Sequence, residues 1–246
     1  MIRKTSFLAL TVVLIFAFFT ACNTDNEAED KTFPSAQIRL IAENSDMWET
    51  FIDFPVESFR VAVTDLDNNG RLEVICAATM GSGIVTTSAW AEVSSDYESL
   101  VSVQNNMDKK SEPEIIVKSA DCFVNADTDE RVYSFVDTAR ASGDYTAYTK
   151  GLLTLKDNTV SFKPLGTCIS VAENPEDITN RTFTFTDAEG NSLTQEEFNS
   201  YIDTCLEGCE KLTATFKWQE YSKNSTLKQD EIVNLLNESY EGFSVK

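Results

Sequence analysis

The sequence predicts an α+β fold, predominantly antiparallel β-sheet, with an N-terminal helix and a C-terminal strand-helix-strand-helix segment. Between Phe59 and Ser170, apolar and β-branched residues come in short runs separated by Gly, Asn, Asp and Ser, the pattern of strands joined by tight turns. The connections are too short for the crossovers that parallel pairing requires, so neighbouring strands are expected to run antiparallel. On either side of this stretch, apolar residues recur three and four positions apart, which marks amphipathic helices.

The chain opens with Arg3 and Lys4, an apolar run from Phe7 to Phe19, and the small residues Thr20 and Ala21 ahead of Cys22. The run is shorter than a membrane-spanning helix and has the layout of a secretory signal peptide, so residues 1–21 are expected to be removed on export. Phe19-Thr20-Ala21-Cys22 resembles the lipobox of bacterial lipoproteins. The resemblance implies cleavage before Cys22, a lipid on its thiol, and an extracytoplasmic protein anchored to the bacterial cell membrane or cell surface. The next stretch carries Asp25, Glu27, Glu29 and Asp30 with almost nothing apolar, so residues 22–34 read as an acidic tether. Residues 35–246 form one β-rich domain in this reading, with a candidate sub-boundary near 171–180.

Within that domain, Ser35 is placed to cap a helix reaching about Phe51, with Ile38, Ile41 and Trp48 on its buried face. Strands are expected at Phe59 to Thr64, Leu72 to Ala78, Val85 to Val93, Glu114 to Lys118, Arg131 to Val136, Tyr145 to Leu155 and Val160 to Ile169. A strand at Thr182 to Thr186 leads to the clearest helix start. There Thr194 and Glu197 form a capping box, with Leu193 and Phe198 at the ends of a hydrophobic staple. Helical spacing puts Phe198, Tyr201, Ile202, Cys205, Cys209 and Leu212 on one apolar face. Strand Thr213 to Trp218 follows. Thr226 with Gln229 then caps a last helix whose inner face is Ile232, Leu235, Leu236 and Ser239.

Composition excludes several functions. The 20 basic and 40 acidic residues give a net charge of −20, and loss of Arg3 and Lys4 with a signal peptide deepens it. Beyond Arg3-Lys4, Lys109-Lys110 is the only local basic cluster in the sequence, too little to hold a phosphate backbone, so no nucleic-acid partner is expected. The chain has no histidine, which removes the usual general base of Ser and Cys nucleophiles and the commonest zinc ligand. After Cys22 come Cys76, Cys122, Cys168, Cys205 and Cys209, an odd number with no Cys-x-x-Cys pair. They read as small core residues rather than a redox or zinc site.

One loop carries ion-binding chemistry. In Thr64-Asp65-Leu66-Asp67-Asn68-Asn69-Gly70-Arg71-Leu72-Glu73, oxygen-bearing side chains stand at alternate positions. A hard cation such as Ca²⁺ takes six to eight oxygens at about 2.3 to 2.6 Å. Asp65, Asp67 and Asn69 can turn inward, Gly70 can take the positive φ that curls the chain, Arg71 can offer its carbonyl, and Glu73 can close the shell. The twelfth position is Cys76 instead of a bidentate Glu, and β-branched residues flank the loop, so a helix-loop-helix EF-hand is disfavoured. The pattern resembles the strand-loop-strand calcium motif Asp-x-Asp-x-(Asp/Asn)-Gly-x-x-(Asp/Glu) of FG-GAP and VCBS-type repeats. The chain is also similar to clostridial-type lipoproteins that carry one such loop after a lipobox. The resemblance implies an extracellular β-rich module with structural calcium on Asp65, Asp67, Asn69 and Glu73. A plain hairpin turn at Asn69-Gly70 is the alternative.

Other candidates have ordinary structural readings. Met80-Gly81-Ser82-Gly83 lacks the lysine and helix start of a phosphate loop, and Asp187-Ala188-Glu189-Gly190-Asn191 reads as a turn. Ser225-Thr226-Leu227-Lys228 matches Ser-x-x-Lys without its companion motifs, and helix capping explains it better. Trp90, Tyr97, Trp218 and Tyr221 read as core aromatics rather than a carbohydrate-stacking surface. The expected protein is therefore a lipid-tethered, calcium-stabilised extracellular binding or structural module without catalytic activity, meeting a protein or glycan partner. The alternative is a secreted, glycosidase-like hydrolase of envelope or dietary polymers that works through carboxylates.

Overall fold

The computed structural model describes residues 30–246 apart from 51–57, 81–84, 108–111, 141, 175–176 and 223–224. The signal peptide, Cys22, the tether before Asp30, Phe51 and Gly81 to Gly83 lie outside the described residues. Two helices, α1 (Pro34–Glu43) and α2 (Ser45–Thr50), precede β1 (Ser58–Thr64), β2 (Glu73–Met80), β3 (Val85–Val93), β4 (Leu100–Ser102) and β5 (Gln104–Asn105). Long strands follow: β6 (Ser119–Asn125), β7 (Arg131–Arg140), β8 (Tyr145–Lys156), β9 (Thr159–Asn174) and β10 (Asp177–Asp187). The chain ends with β11 (Ser192–Leu193), α3 (Gln195–Cys205), β12 (Cys209–Thr215), β13 (Gln219–Ser222), α4 (Gln229–Glu241) and β14 (Ser244–Val245).

These strands make two sheets. One has the order β13-β1-β2-β3-β4; the other runs β11-β10-β9-β8-β7-β6-β12-β14, with β5 beside β9. Pairing is antiparallel, as the short connections predict, except for the parallel β5–β9 contact. The fold is thus α+β and mostly antiparallel sheet.

Side-chain alternation explains the layering. On β2, Val74, Cys76 and Ala78 pack under α1, α2 and α4 with Ile38, Ile41, Trp48, Ile232 and Leu236. Ile75 and Ala77 point the other way, into a second core shared with Cys122, Tyr133, Phe135 and Leu153 of the larger sheet. A strand covered on both faces has no solvent side, which is why Val74 to Ala78 is an unbroken apolar run. Beyond the larger sheet, α3 covers Phe123, Leu152 and Leu165 with Ile202. Residues 31–246 form one compact unit; within the 171–180 stretch β9 ends at Asn174 and β10 starts at Asp177.

Several expectations need correction. Helix α1 starts at Pro34, with Phe33 and not Ser35 as its N-cap; proline's fixed φ and missing N–H suit a first helical position. The helix stops at Asn44, whose side-chain amide turns back to the Leu40 carbonyl at 2.8 Å, so one expected helix is two. Ile38, Ile41 and Trp48 are buried as expected. Glu114 to Lys118 is irregular, although Ile115 still fills the core between the sheets. The capping box at Thr194 and Glu197 is present, but α3 ends at Cys205. Gly208, at φ +89, then reverses the chain, so Cys209 and Leu212 belong to β12. Cys205 is consequently exposed and Cys209 half-buried, whereas Cys76, Cys122 and Cys168 are buried. Strand β12 stops at Thr215, short of the expected Trp218. Helix α4 is capped two residues later than expected: Lys228 is its N-cap, and the Glu231 carboxylate accepts the Lys228 N–H at 2.8 Å. Trp90 and Tyr221 are buried in different cores and form no common stacking face.

Candidate metal centre

The last register pair of the β1–β2 hairpin is Thr64 with Glu73, which leaves Asp65 to Leu72 to close the connection. This is longer than a two-residue Asn-Gly turn, and the chain curls inside it. Asn68 (φ 59) and Gly70 (φ 78) take left-handed conformations, which cost least for Asn and Gly.

The curl gathers carboxylates. Asp65, Asp67 and Glu73 each place an oxygen within 4.8 Å of the others, the one group of this kind among the described residues. Glu73 starts β2 and is fully buried. Its Oε2 accepts from Thr64 Oγ1 (2.8 Å) and the Leu66 backbone N–H (2.9 Å). Its Oε1 is buried with no hydrogen-bond partner. Buried acceptors nearly always have a partner, because an orphan forfeits its hydration without replacement.

Electrostatics match this crowding. Burial pushes the Glu73 carboxyl well above the ordinary carboxylate range, and Asp67 and Asp65 add to the rise against hydrogen bonds from Leu66 and Thr64. Burial also raises Asp65 and Asp67, against hydrogen bonds from Gly70 and Asn69 respectively. A concentration of buried negative charge of this kind is neutralised by protons or by a cation.

Glu92 on β3, opposite Glu73 in the sheet, extends the group. Its side chain is 1% exposed, and Oε1 accepts from the Arg71 guanidinium at 2.8 Å and from Asn69 Nδ2 at 2.7 Å. Asn69 Nδ2 also donates to Asp67 Oδ2 (2.8 Å), while its Oδ1 accepts from the Arg71 N–H (2.7 Å). The amide nitrogen thus faces the carboxylates; a half-turn about the terminal bond would present Oδ1 there instead. The loop borders a cleft of 390 Å³ whose lining includes Asp65, Arg131, Tyr240 and Phe243.

Of the residues singled out in the sequence, Asp65, Asp67 and Glu73 therefore converge. Asn69 stands among them by its amide nitrogen, and Arg71 sends its guanidinium to Glu92. Glu92 itself escaped sequence reasoning, although a Glu amid the apolar run Trp90-Ala91-Glu92-Val93 is the kind of residue whose burial needs a partner. No protein-family model matches the chain, and neither a curated protein nor a solved structure matches it.

The oxygens present suit a hard cation. Carboxylate, amide and carbonyl groups select Ca²⁺, Mg²⁺ or Mn²⁺, and the group contains none of the thiol or imidazole donors that favour softer metals.

Proposed function

We propose that the loop from Asp65 to Glu73 is a structural calcium site in a lipid-tethered extracytoplasmic module that binds an extracellular protein or glycan and has no catalytic activity of its own. The observation that carries the cation reading is Glu73 Oε1, a buried oxygen without a partner that belongs to a carboxylate flanked by those of Asp65 and Asp67. Leaving such an acceptor unsatisfied costs about 1–3 kcal/mol, more for a charged group. A divalent cation supplies the missing partner and cancels the repulsion in one step. The loop joins adjacent central strands of the smaller sheet, so an ion there would hold their register and the mouth of the neighbouring cleft. Export and anchoring rest on the Arg3 to Cys22 pattern, and the acidic surface suits an environment rich in calcium.

Thermal melting of the purified protein in 10 mM calcium and in excess chelator tests the cation. Extracellular sites bind calcium at roughly 10⁻⁴ to 10⁻³ M, so mass action stabilises the folded state by about 1.4 to 2.7 kcal/mol at that concentration. The expected rise in Tm is about 3 to 10 °C, and Asp67→Ala should abolish it. Equal melting in both buffers would reduce the loop to a turn.

A further inference from the structure

Gln37 is buried on α1, 1% exposed, and uses both ends of its side-chain amide on the loop at Gly70 and Leu72, far away in the sequence. Its Nε2 donates to the Gly70 carbonyl (2.9 Å) and to the Thr32 carbonyl (2.9 Å). Its Oε1 accepts the Leu72 N–H at 2.8 Å. The two loop contacts flank Arg71, the residue whose carbonyl is the candidate main-chain ligand.

Peptide planarity turns these contacts into a direction. The chain has no cis peptide bond among the described residues, and in a trans unit the C=O and N–H point opposite ways. Because the Leu72 N–H points at Gln37, the Arg71 carbonyl of the same unit points away from it. Because the Gly70 carbonyl points at Gln37, the Arg71 N–H also points away, and it meets Asn69 Oδ1 at 2.7 Å. That is the side on which Asn69 contacts Asp67 and Glu92. Both main-chain groups of Arg71 are thus turned away from Gln37 by one side chain from another element, and the N–H lies on the side where Asn69 meets the carboxylates.

We infer that Gln37 is a positioning residue of the cation site: it aims the Arg71 carbonyl at the ion and so contributes to coordination without touching the ion. The inference rests on the calcium reading of the loop. Gln37 also holds the Thr32 carbonyl, so the same amide joins the ion site to the segment that leads into α1.

Terbium ions, which take calcium's oxygen ligands, are the probe. Luminescence lifetimes of directly excited Tb³⁺ in H₂O and D₂O count the waters left on the bound ion, and titration gives its affinity. In Gln37→Met, which keeps the volume and loses every hydrogen bond, the dissociation constant should rise about tenfold, and one additional water should occupy the ion. Gln37→Glu can still accept the Leu72 N–H, so it should keep the wild-type water count. A mutation-free check is the Arg71 carbonyl carbon resonance of the wild-type protein, which should move on calcium titration. Saturable wild-type binding with an unmoved Arg71 carbonyl, or with unchanged affinity and water count in Gln37→Met, would overturn the role of Gln37 and leave the cation site standing. Failure of the wild-type protein to bind Tb³⁺ or respond to calcium would remove the site itself.

Discussion

At the scale of single residues, the burial of Glu73 makes a prediction with two opposite signs. In Glu73→Gln the amide oxygen can keep the Thr64 and Leu66 hydrogen bonds, and the amide nitrogen then takes the place of the orphaned Oε1 and can donate to Asp65 or Asp67. In excess chelator the variant should melt several degrees above wild type, because a buried oxygen without a partner has been replaced by a donor facing two acceptors. In calcium it should gain nothing. Paired thermal melts read both signs. A second residue links stability to pH. Burial, with the Glu114 carboxylate beside it, raises the Asp137 carboxyl to about 6. A raised acid favours folding fully below its unfolded value near 4 and loses that contribution as pH climbs through about 6. Asp137→Asn, which mimics the protonated form, should therefore be more stable than wild type at pH 7, by roughly 1 kcal/mol once partial exposure is discounted, and no different near pH 4. Urea melts at the two pH values measure this. Asp65, Asp67 and Glu73 were legible in the sequence because they lie on one short stretch whose spacing matches a coordination shell. Glu92 and Gln37 were not, because their place at the loop is set by the β2–β3 register and by how α1 packs, and neither leaves a local pattern.

At the scale of elements, legibility followed local chemistry. The start of α3 could be read because a capping box is a contact between residues three apart, and the antiparallel hairpins could be read from their short connections. Strand β6 leaves little trace in the sequence because Ser119-Ala120-Asp121 at its start has little strand propensity; pairing with β12 along its whole length, and with β7 from Cys122 to Val124, overrides this. Glu114 to Lys118 is the opposite case: its apolar run fills a core, and single backbone bonds at its ends, Glu114 N–H to the Val136 carbonyl and Phe216 N–H to the Lys118 carbonyl, do not build a ladder. The clearest join between elements is Ser239 on α4. Strand β13 pairs with β1 only as far as Val61, and beyond that point the buried Val63 N–H is taken by Ser239 Oγ at 3.0 Å. The same hydroxyl donates to the Lys217 carbonyl at 2.7 Å. Ser239→Ala strands the Val63 donor in an apolar setting and should cost about 2–3 kcal/mol, read as a lower urea midpoint with an unchanged m-value. Calcium affinity should stay the same, since the loop lies beyond this contact.

At the scale of the whole molecule, the layers interleave segments distant in the sequence. The smaller sheet draws four strands from residues 58–102 and its edge strand β13 from near the C-terminus, while α4 covers the core that α1 and α2 begin. Pairings this remote impose a large loop-closure cost before any contact rewards it. A chain ending at residue 226, without α4 and β14, should leave Val61, Val63 and Val74 uncovered; expected are rapid cleavage by dilute protease and loss of near-ultraviolet circular dichroism. Antiparallel class and terminal helices were legible at this scale, but the division of strands between two sheets was not, because both faces of a central strand look alike in sequence. Ser239 and its helix also set a timetable. For a chain that emerges N-terminus first, from a ribosome or through a membrane pore, the opening helices and β1 are out long before the residues that seal them. Until α4 and β14 arrive, the hydrophobic surface they cover is bare and available to chaperones, and their emergence becomes the moment at which the domain can close.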